Sequence, residues 1–353
     1  MRIFFTRFLS LILIIINCLL IDRNSFSQDI HFSQFDASPL TLNPALTGMM
    51  DLNFRVSNNY KNQWSSVAAP YSTLAFAYDM NVLKNRGKNT WLGVGLSAFN
   101  DKAGKSQLSN TQVNLSLAAT QIINDHNTLS AGIQGGYAQK SINLSKLTWD
   151  NQFNGNNFDP SLSSRELNYS DKKNYFDVSA GGLWNFQNSE ALNFSTGLAV
   201  FHANKPDKSF NNNKKESLHP KLVIHQKTEI KLRHNDNFPD RYIVPKILFM
   251  NQGAQRELFL GAFFKIKMQT ASRYTNWRNE VTMDLGAFYR KGDAIIAATS
   301  FDYGNIRMGI SYDVNISKLK TASTYNGGIE FSLLYSGIFS TDKIKIKGLP
   351  RAE

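Results

Sequence analysis

From residue 51 onward, apolar side chains fall on every second position, a period that an extended strand turns into one continuous face. In "IRMGISYDVNI", Ile306, Met308, Ile310, Tyr312, Val314 and Ile316 share one side, against Arg307, Gly309, Ser311, Asp313 and Asn315. In "LFLGAFFKIKM", Leu258, Leu260, Ala262, Phe264, Ile266 and Met268 form the apolar set, partly opposed by Lys265 and Lys267. In "EVTMDLGAFYR", Val281, Met283, Leu285, Ala287 and Tyr289 oppose Glu280, Thr282, Asp284, Gly286 and Arg290. "TQVNLSLAAT" sets Val113, Leu115 and Leu117 against Asn114, Ser116 and Thr120. About fourteen such segments run from 51–60 to 326–336, with 217–231 among them. Each has roughly 9–13 residues, the length a tilted strand needs to cross a bilayer. An even number lets an antiparallel barrel keep both ends on one side.

Alternation also fits a soluble sandwich, but three features favour the membrane. After the leader no run of about 18 apolar residues occurs, so helices do not do the spanning. The second face carries Gly, Ser, Asn, Asp, Lys and Arg, which suits a polar lumen better than a dry core. Aromatics cluster at segment ends: Tyr60, Trp64, Tyr78, Trp91, Phe99, Tyr137, Tyr175, Trp184, Tyr289, Tyr312 and Tyr335. Interfacial girdles place them there. The fold expected is all-β, an antiparallel transmembrane barrel over 51–336, contacting outer-membrane lipid.

The chain starts MRIFFTRFLSLILIIINCLLIDRNSFSQ, with Arg2 and Arg7 ahead of an apolar run from Phe8 to Ile21. That is the pattern of a signal peptide over 1–27, with Ser25 and Ser27 as the small residues before a cut at Gln28. The single cysteine, Cys18, falls inside it, so the exported chain is expected to hold no thiol, disulfide or cysteine-bound metal. Without Arg2, Arg7, Arg23 and Asp22, 36 basic residues face 26 acidic ones, a net charge of +10. Lysines of solvated loops such as 204–216, lipid phosphates or an acidic partner account for it, and nucleic acid is not expected.

Short links at 124–127, 185–190 and 302–305 read as periplasmic turns, and 100–110, 140–173, 204–216 and 316–326 as outward loops. Two connectors break this rule: 252–254 is short where a loop is due, and 269–279 is long where a turn is due. The chemistry of an enzyme is missing from the pattern. The six histidines have no metal-ligand spacing, and Ser195 with His202 lacks a third member or an oxyanion donor. "GVG" at 93–95 and "GIQGG" at 132–136 lie inside strands, where glycine permits barrel curvature or lets aromatics pack over it rather than holding phosphate. No catalytic residue, cofactor or metal is expected.

Between leader and barrel, residues 28–50 form a lead-in expected on the periplasmic side, and 337–353 a matching tail. Pro39 and Pro44 disfavour helix, and Asn43 and Gly48 supply turn chemistry. The segment Pro39–Gly48 either caps the first turn of the barrel, partly occludes its lumen, or docks a periplasmic partner. "YKNQW" at 60–64 is either a girdle aromatic followed by ordinary loop or a recognition patch. The candidate partner-binding residues are therefore Asn43, Pro44, Gly48, Asn62, Gln63 and Trp64.

These phrases carry a resemblance. "QDIHFSQF", "LNPALTG", "YKNQW" and "AAPYSTLAFAYD" are similar to the start of the PorP/SprF family of the type IX secretion system. The likeness continues through "WDNQFNGNNFDP", "YFDVSAGGLWNF", "LAVFHANKP", "LGAFYRKGDAIIA" and "ISYDVNISKLKTASTYNGGIEFSLLY". Two departures stand out: Lys61 replaces the arginine of the family's tetrad, and the tail ends "KIKGLPRAE" without a terminal aromatic. The resemblance implies an outer-membrane barrel of a Bacteroidota-like Gram-negative cell. Its implied partners are components of that machinery and secreted proteins with C-terminal sorting domains, such as gliding adhesins. A general or substrate-specific diffusion channel is the other function the pattern allows.

Overall fold

In the computed structural model the described residues are 29–64, 70–83, 89–104, 106–159, 161–163, 170–188, 191–211, 213–232, 239–270, 279–317 and 320–339. The expected signal peptide with Cys18, and the tail beyond residue 339, lie outside them.

Fourteen strands form one closed barrel. They are β1 (Phe54–Gln63), β2 (Tyr71–Val82), β3 (Thr90–Ala103), β4 (Leu108–Ile122), β5 (Asn127–Ser141), β6 (Lys172–Asn188) and β7 (Leu192–Phe201), followed by β8 (Lys221–Lys231), β9 (Asp240–Gln252), β10 (Gln255–Gln269), β11 (Val281–Arg290), β12 (Ala294–Tyr303), β13 (Ile306–Asn315) and β14 (Asn326–Gly337). Each strand pairs antiparallel with its chain neighbours, and β1 closes on β14 from Phe54↔Gly337 to Gln63↔Gly328. Closure leaves no open edge, the condition a sheet must meet in hydrocarbon. Residue 54 and residue 337 lie at the same end, here called the terminal end; the loops 142–171 and 202–220 lie at the other, the loop end.

The two faces follow the alternation. Val113, Leu115, Leu117, Ile133 and Leu285 point outward and are exposed, whereas Gln112, Asn114, Ser116, Gln134, Thr282 and Asp284 point inward and are buried. This inverts the pattern of a water-soluble domain, where a continuous apolar exterior is rare. Tyr60, Tyr137, Trp184, Tyr289, Tyr312 and Tyr335 sit on the outside, as girdle residues should. Trp91 and Tyr175 do not: both are buried on the inner side, so the expected girdle loses them.

Several strand limits differ from the sequence reading, most of all at three places. The expected loop 100–110 is mostly strand, because Asn100 bonds Ser109 and Thr111 across the hairpin and turning is confined to 104–107. β8 starts at Lys221 instead of 217, since Ser217 bridges to Asp207 and Leu218 donates to Pro206 within the loop. β1 starts at Phe54 instead of 51. The two connectors that broke the loop rule are retained: β9 and β10 meet through two residues at the loop end, and β10 and β11 are joined by a long segment at the terminal end.

The largest correction concerns residues 29–50. Expected on the periplasmic side, with partial occlusion of the lumen by Pro39–Gly48 as one alternative, they lie within the lumen, and Leu40, Asn43, Ala45 and Thr47 are at most 1% exposed. Nor are they free of helix. Pro39 and Pro44 each occupy the first position of a short helical turn, Pro39–Leu42 and Pro44–Leu46, where a missing N–H costs nothing.

The outward face predicts a direct stability effect. Leu115→Lys, near the middle of β4, should cost about 2–4 kcal/mol of barrel stability, read by denaturant titration in lipid vesicles. A substitution without effect would place that face away from lipid.

Candidate functional site: a plug held in the lumen

Residues 29–50 act as a plug, fastened at four levels. At the loop end, the His202 ring stands between two carboxylates, 2.6 Å from Asp29 on Nε2 and 2.9 Å from Asp177 on Nδ1. His202 follows β7 directly and takes a left-handed backbone (φ 56°), which turns its ring back over the lumen. Burial disfavours a charged ring, but the two carboxylates outweigh it and push its pKa up to about 9. Gln252 also donates to Asp29, at 2.7 Å, and Lys221 lies 3.9 Å from it.

Just below, a buried charge network grips Ser33 and Gln34. The Glu330 carboxylate accepts both backbone N–H groups, at 2.7 and 2.9 Å. The Ser33 hydroxyl donates to Asp313 at 2.8 Å and accepts from Arg290 at 2.7 Å. Arg290 in turn bonds Asp313 at 3.0 Å and faces Glu257 at 3.4 Å. Lys61, 1% exposed, donates to the His31 carbonyl at 3.2 Å and lies 3.7 and 4.0 Å from Asp313 and Glu330. Each charge is thereby compensated, without which burial would cost several kcal/mol per ion.

Midway, Phe35 meets Phe259 edge-on (5.5 Å), and Phe259 and Phe263 both pack on Phe288. These inward rings, with Leu42, form an apolar core inside an otherwise polar lumen. Asp36 pairs with Lys246 at 2.6 Å and Lys227 at 3.5 Å. A small recess remains beside it, lined by Glu229, Lys265, Asp284 and Arg307 among others.

The lower part is a backbone fit. Asn43, fully buried, accepts from the Ala45 N–H (2.9 Å), donates to the Gly182 carbonyl (3.0 Å) and meets His225 Nε2 at 3.1 Å. The wall opposite is glycine on β3, β5, β6 and β7. A Cβ on Gly93 would stand 2.1 Å from the Thr47 carbonyl oxygen, on Gly132 2.5 Å from the Pro44 carbonyl, and on Gly181 2.0 Å from Asn43 Oδ1. Glycines within strands often mark a close approach of another backbone. The sequence reading took Gly93 and Gly132 as residues of barrel curvature or of aromatic packing; they make room for the plug backbone instead. Gly48 (φ 67°) turns the chain out, its N–H held by Asp79 at 2.8 Å and its carbonyl by the Trp91 indole at 3.2 Å. Arg55 bonds both Asp79 and the Leu46 carbonyl, tying this exit to β1.

The candidate residues thus divide. Asn43, Pro44 and Gly48 are buried together in the plug. Asn62 and Gln63 end β1, and Trp64 packs edge-on against Tyr71 (4.8 Å) at the loop end, away from the other three. Within "YKNQW" the residue that reaches the plug is Lys61, which sequence reasoning left off the site. Its alternation with outward Tyr60 was the available signal. Glu330, Arg290 and Asp313 were missed as a set because they meet Lys61 and the plug only when the barrel closes, and His202 because its partner Asp29 lies 173 residues away.

The family model for the type IX secretion system membrane protein PorP/SprF matches residues 24–335. The chain belongs to the PorP/SprF family. Its plug, β1 and all but the last two residues of β14 fall within the matched span, and barrel and family together place this PorP/SprF protein in the outer membrane. Several solved structures are similar in fold. A Pseudomonas aeruginosa FadL homologue is 9% identical, with a TM-score of 0.45, covering 83% of this chain and 92% of that one. The CymD monoaromatic hydrocarbon channel is 10% identical, with a TM-score of 0.47 and coverage of 86% and 93%. The translocator domain of the autotransporter NalP from Neisseria meningitidis is 12% identical, with a TM-score of 0.41 and coverage of 82% and 90%. No curated protein matches the chain.

Two predictions test the plug. Gly132→Ala drives a methyl into the plug backbone, an overpacking worth about 1–3 kcal/mol. It should raise single-channel conductance in planar bilayers well above the parent, while Gly135→Ala, whose Cβ meets nothing within 4 Å, should not. The second concerns pH. His202 has a folded pKa of about 9, above the ordinary 6.5. Its bridge therefore contributes fully below pH 6.5 and is lost as pH rises through about 9. The thermal midpoint of the parent in detergent should exceed that of His202→Asn at pH 6, and the gap should close by pH 10.

Proposed function

We propose that this protein is a non-enzymatic, plugged barrel that assists the type IX machinery in the secretion or surface attachment of proteins with C-terminal sorting domains, gliding adhesins among them. The cell is a Bacteroidota-like Gram-negative bacterium, and the partners are other components of the same machinery together with the exported client. The observation that carries the reading is the lumen itself. A segment bound by paired charges, backbone hydrogen bonds and a glycine cradle fills the space through which a solute would pass. Such a barrel is suited to holding partners at its rims and loops.

A diffusion channel is the competing reading, and one experiment separates the two. Isolated in mild detergent from its native outer membrane, the protein should bring down machinery components and a client bearing a sorting domain, and should show no steady conductance in planar bilayers. A stable open pore with no co-purifying exported protein would overturn the proposal.

A further inference from the structure

The plug runs lengthwise through the barrel, and its direction is fixed at both ends. Its first described residue, Asp29, is held by His202, Lys221 and Gln252, which lie after β7, at the start of β8 and at the end of β9, all at the loop end. Its last turn meets Asp79 and Trp91 near the other rim, and the Asn53 N–H then bonds the Gly337 carbonyl at the terminal end. The length is sufficient. Residues 29–48 number twenty and would span about 30 Å if wholly helical and about 66 Å if fully extended. The partly helical path lies between these limits, and the hydrocarbon core is about 30 Å thick.

We infer that the start of the exported chain is displayed at the cell surface. In bacterial barrels the long loops face outward and the turns face the periplasm. Residue 29 therefore stands at the outer mouth, at the base of loop 202–220, while β1 begins at the periplasmic rim. The chain crosses the membrane once inside the barrel before it enters the wall. A leader still in place would tether residue 29 to the inner membrane, so the leader must be removed before the plug can seat. The outer face thus presents a free chain end beside its longest loops. This inference concerns chain path alone and does not rest on the export role proposed above.

The exported chain has no cysteine of its own, which makes the test clean. In a Cys18→Ala background, three single-cysteine proteins are made: a Gly-Ser-Cys-Gly-Ser linker inserted between Gln28 and Asp29, Asn156→Cys in the long loop, and Asn305→Cys in a terminal-end turn. Both substituted asparagines are exposed. Intact cells are treated with a membrane-impermeant maleimide before and after lysis, and heat-modifiable migration confirms a folded barrel. The linker cysteine should label in intact cells as Asn156→Cys does, at least tenfold above Asn305→Cys. Labelling only after lysis, as for Asn305→Cys, overturns the inference, and so does labelling of Asn305→Cys in intact cells with Asn156→Cys protected. Should the insertion prevent folding, Asp29→Cys, whose side chain is 20% exposed, gives the same reading.

Discussion

A strand that must offer hydrocarbon an apolar outer face is left with an inner face of donors, acceptors and charges that water or protein has to satisfy. In this barrel much of that demand is met by one short segment. Glu330 needs two donors and receives them from the Ser33 and Gln34 backbone; the Gly182 carbonyl receives the Asn43 amide; Asp79 receives the Gly48 N–H. The plug has matching needs, because its brief helical turns leave backbone groups unpaired that only the wall can bond. Wall and plug are therefore complementary halves of one polar interior, with the Phe35–Phe259–Phe288 stack as its dry centre.

Much of the fold was legible in the chain. Period two is a local signal, and a bilayer favours it strongly on lipid-facing residues, so the fourteen strands, their faces and the even count could be read directly. Boundaries moved where polar side chains paired across a hairpin, as at Asn100, or where a loop kept its own bridge, as at Ser217. The inner face was less legible. Trp91 reads like any aromatic near a strand end, yet its indole serves the plug, and nothing within a few residues announces it. Pro39 and Pro44 were read as helix breakers because the local rule for a helix interior was applied where the rule for a helix start governs. The charge clamp was beyond reach for another reason: Lys61, Arg290, Asp313 and Glu330 belong to four strands, and only closure makes them neighbours.

The placement of the motifs clarifies what the most distinctive phrases specify. "LNPALTG" fits a glycine cradle, and the lysine of "YKNQW" points inward to the His31 carbonyl. Replacement of a guanidinium by an ammonium at Lys61 exchanges a planar fork for a point charge, and here that charge sits among Asp313, Glu330 and a carbonyl, a setting that asks for charge more than for bidentate geometry. What remains for contact with other molecules is the outer surface, the loops and the rims.

The Ser33–Glu330 bond joins residues 297 positions apart, the plug to the final strand. A ribosome finishes one long before it makes the other, so the opening segment must wait, unsatisfied, until the last strand arrives. A nascent or truncated product without β14 lacks both the seam and the carboxylate that fastens the front of the chain. Completeness is thereby written into the architecture: the molecule is sealed only when its two extremities shake hands, and anything shorter carries a raw edge and a loose head that quality-control proteases are equipped to find.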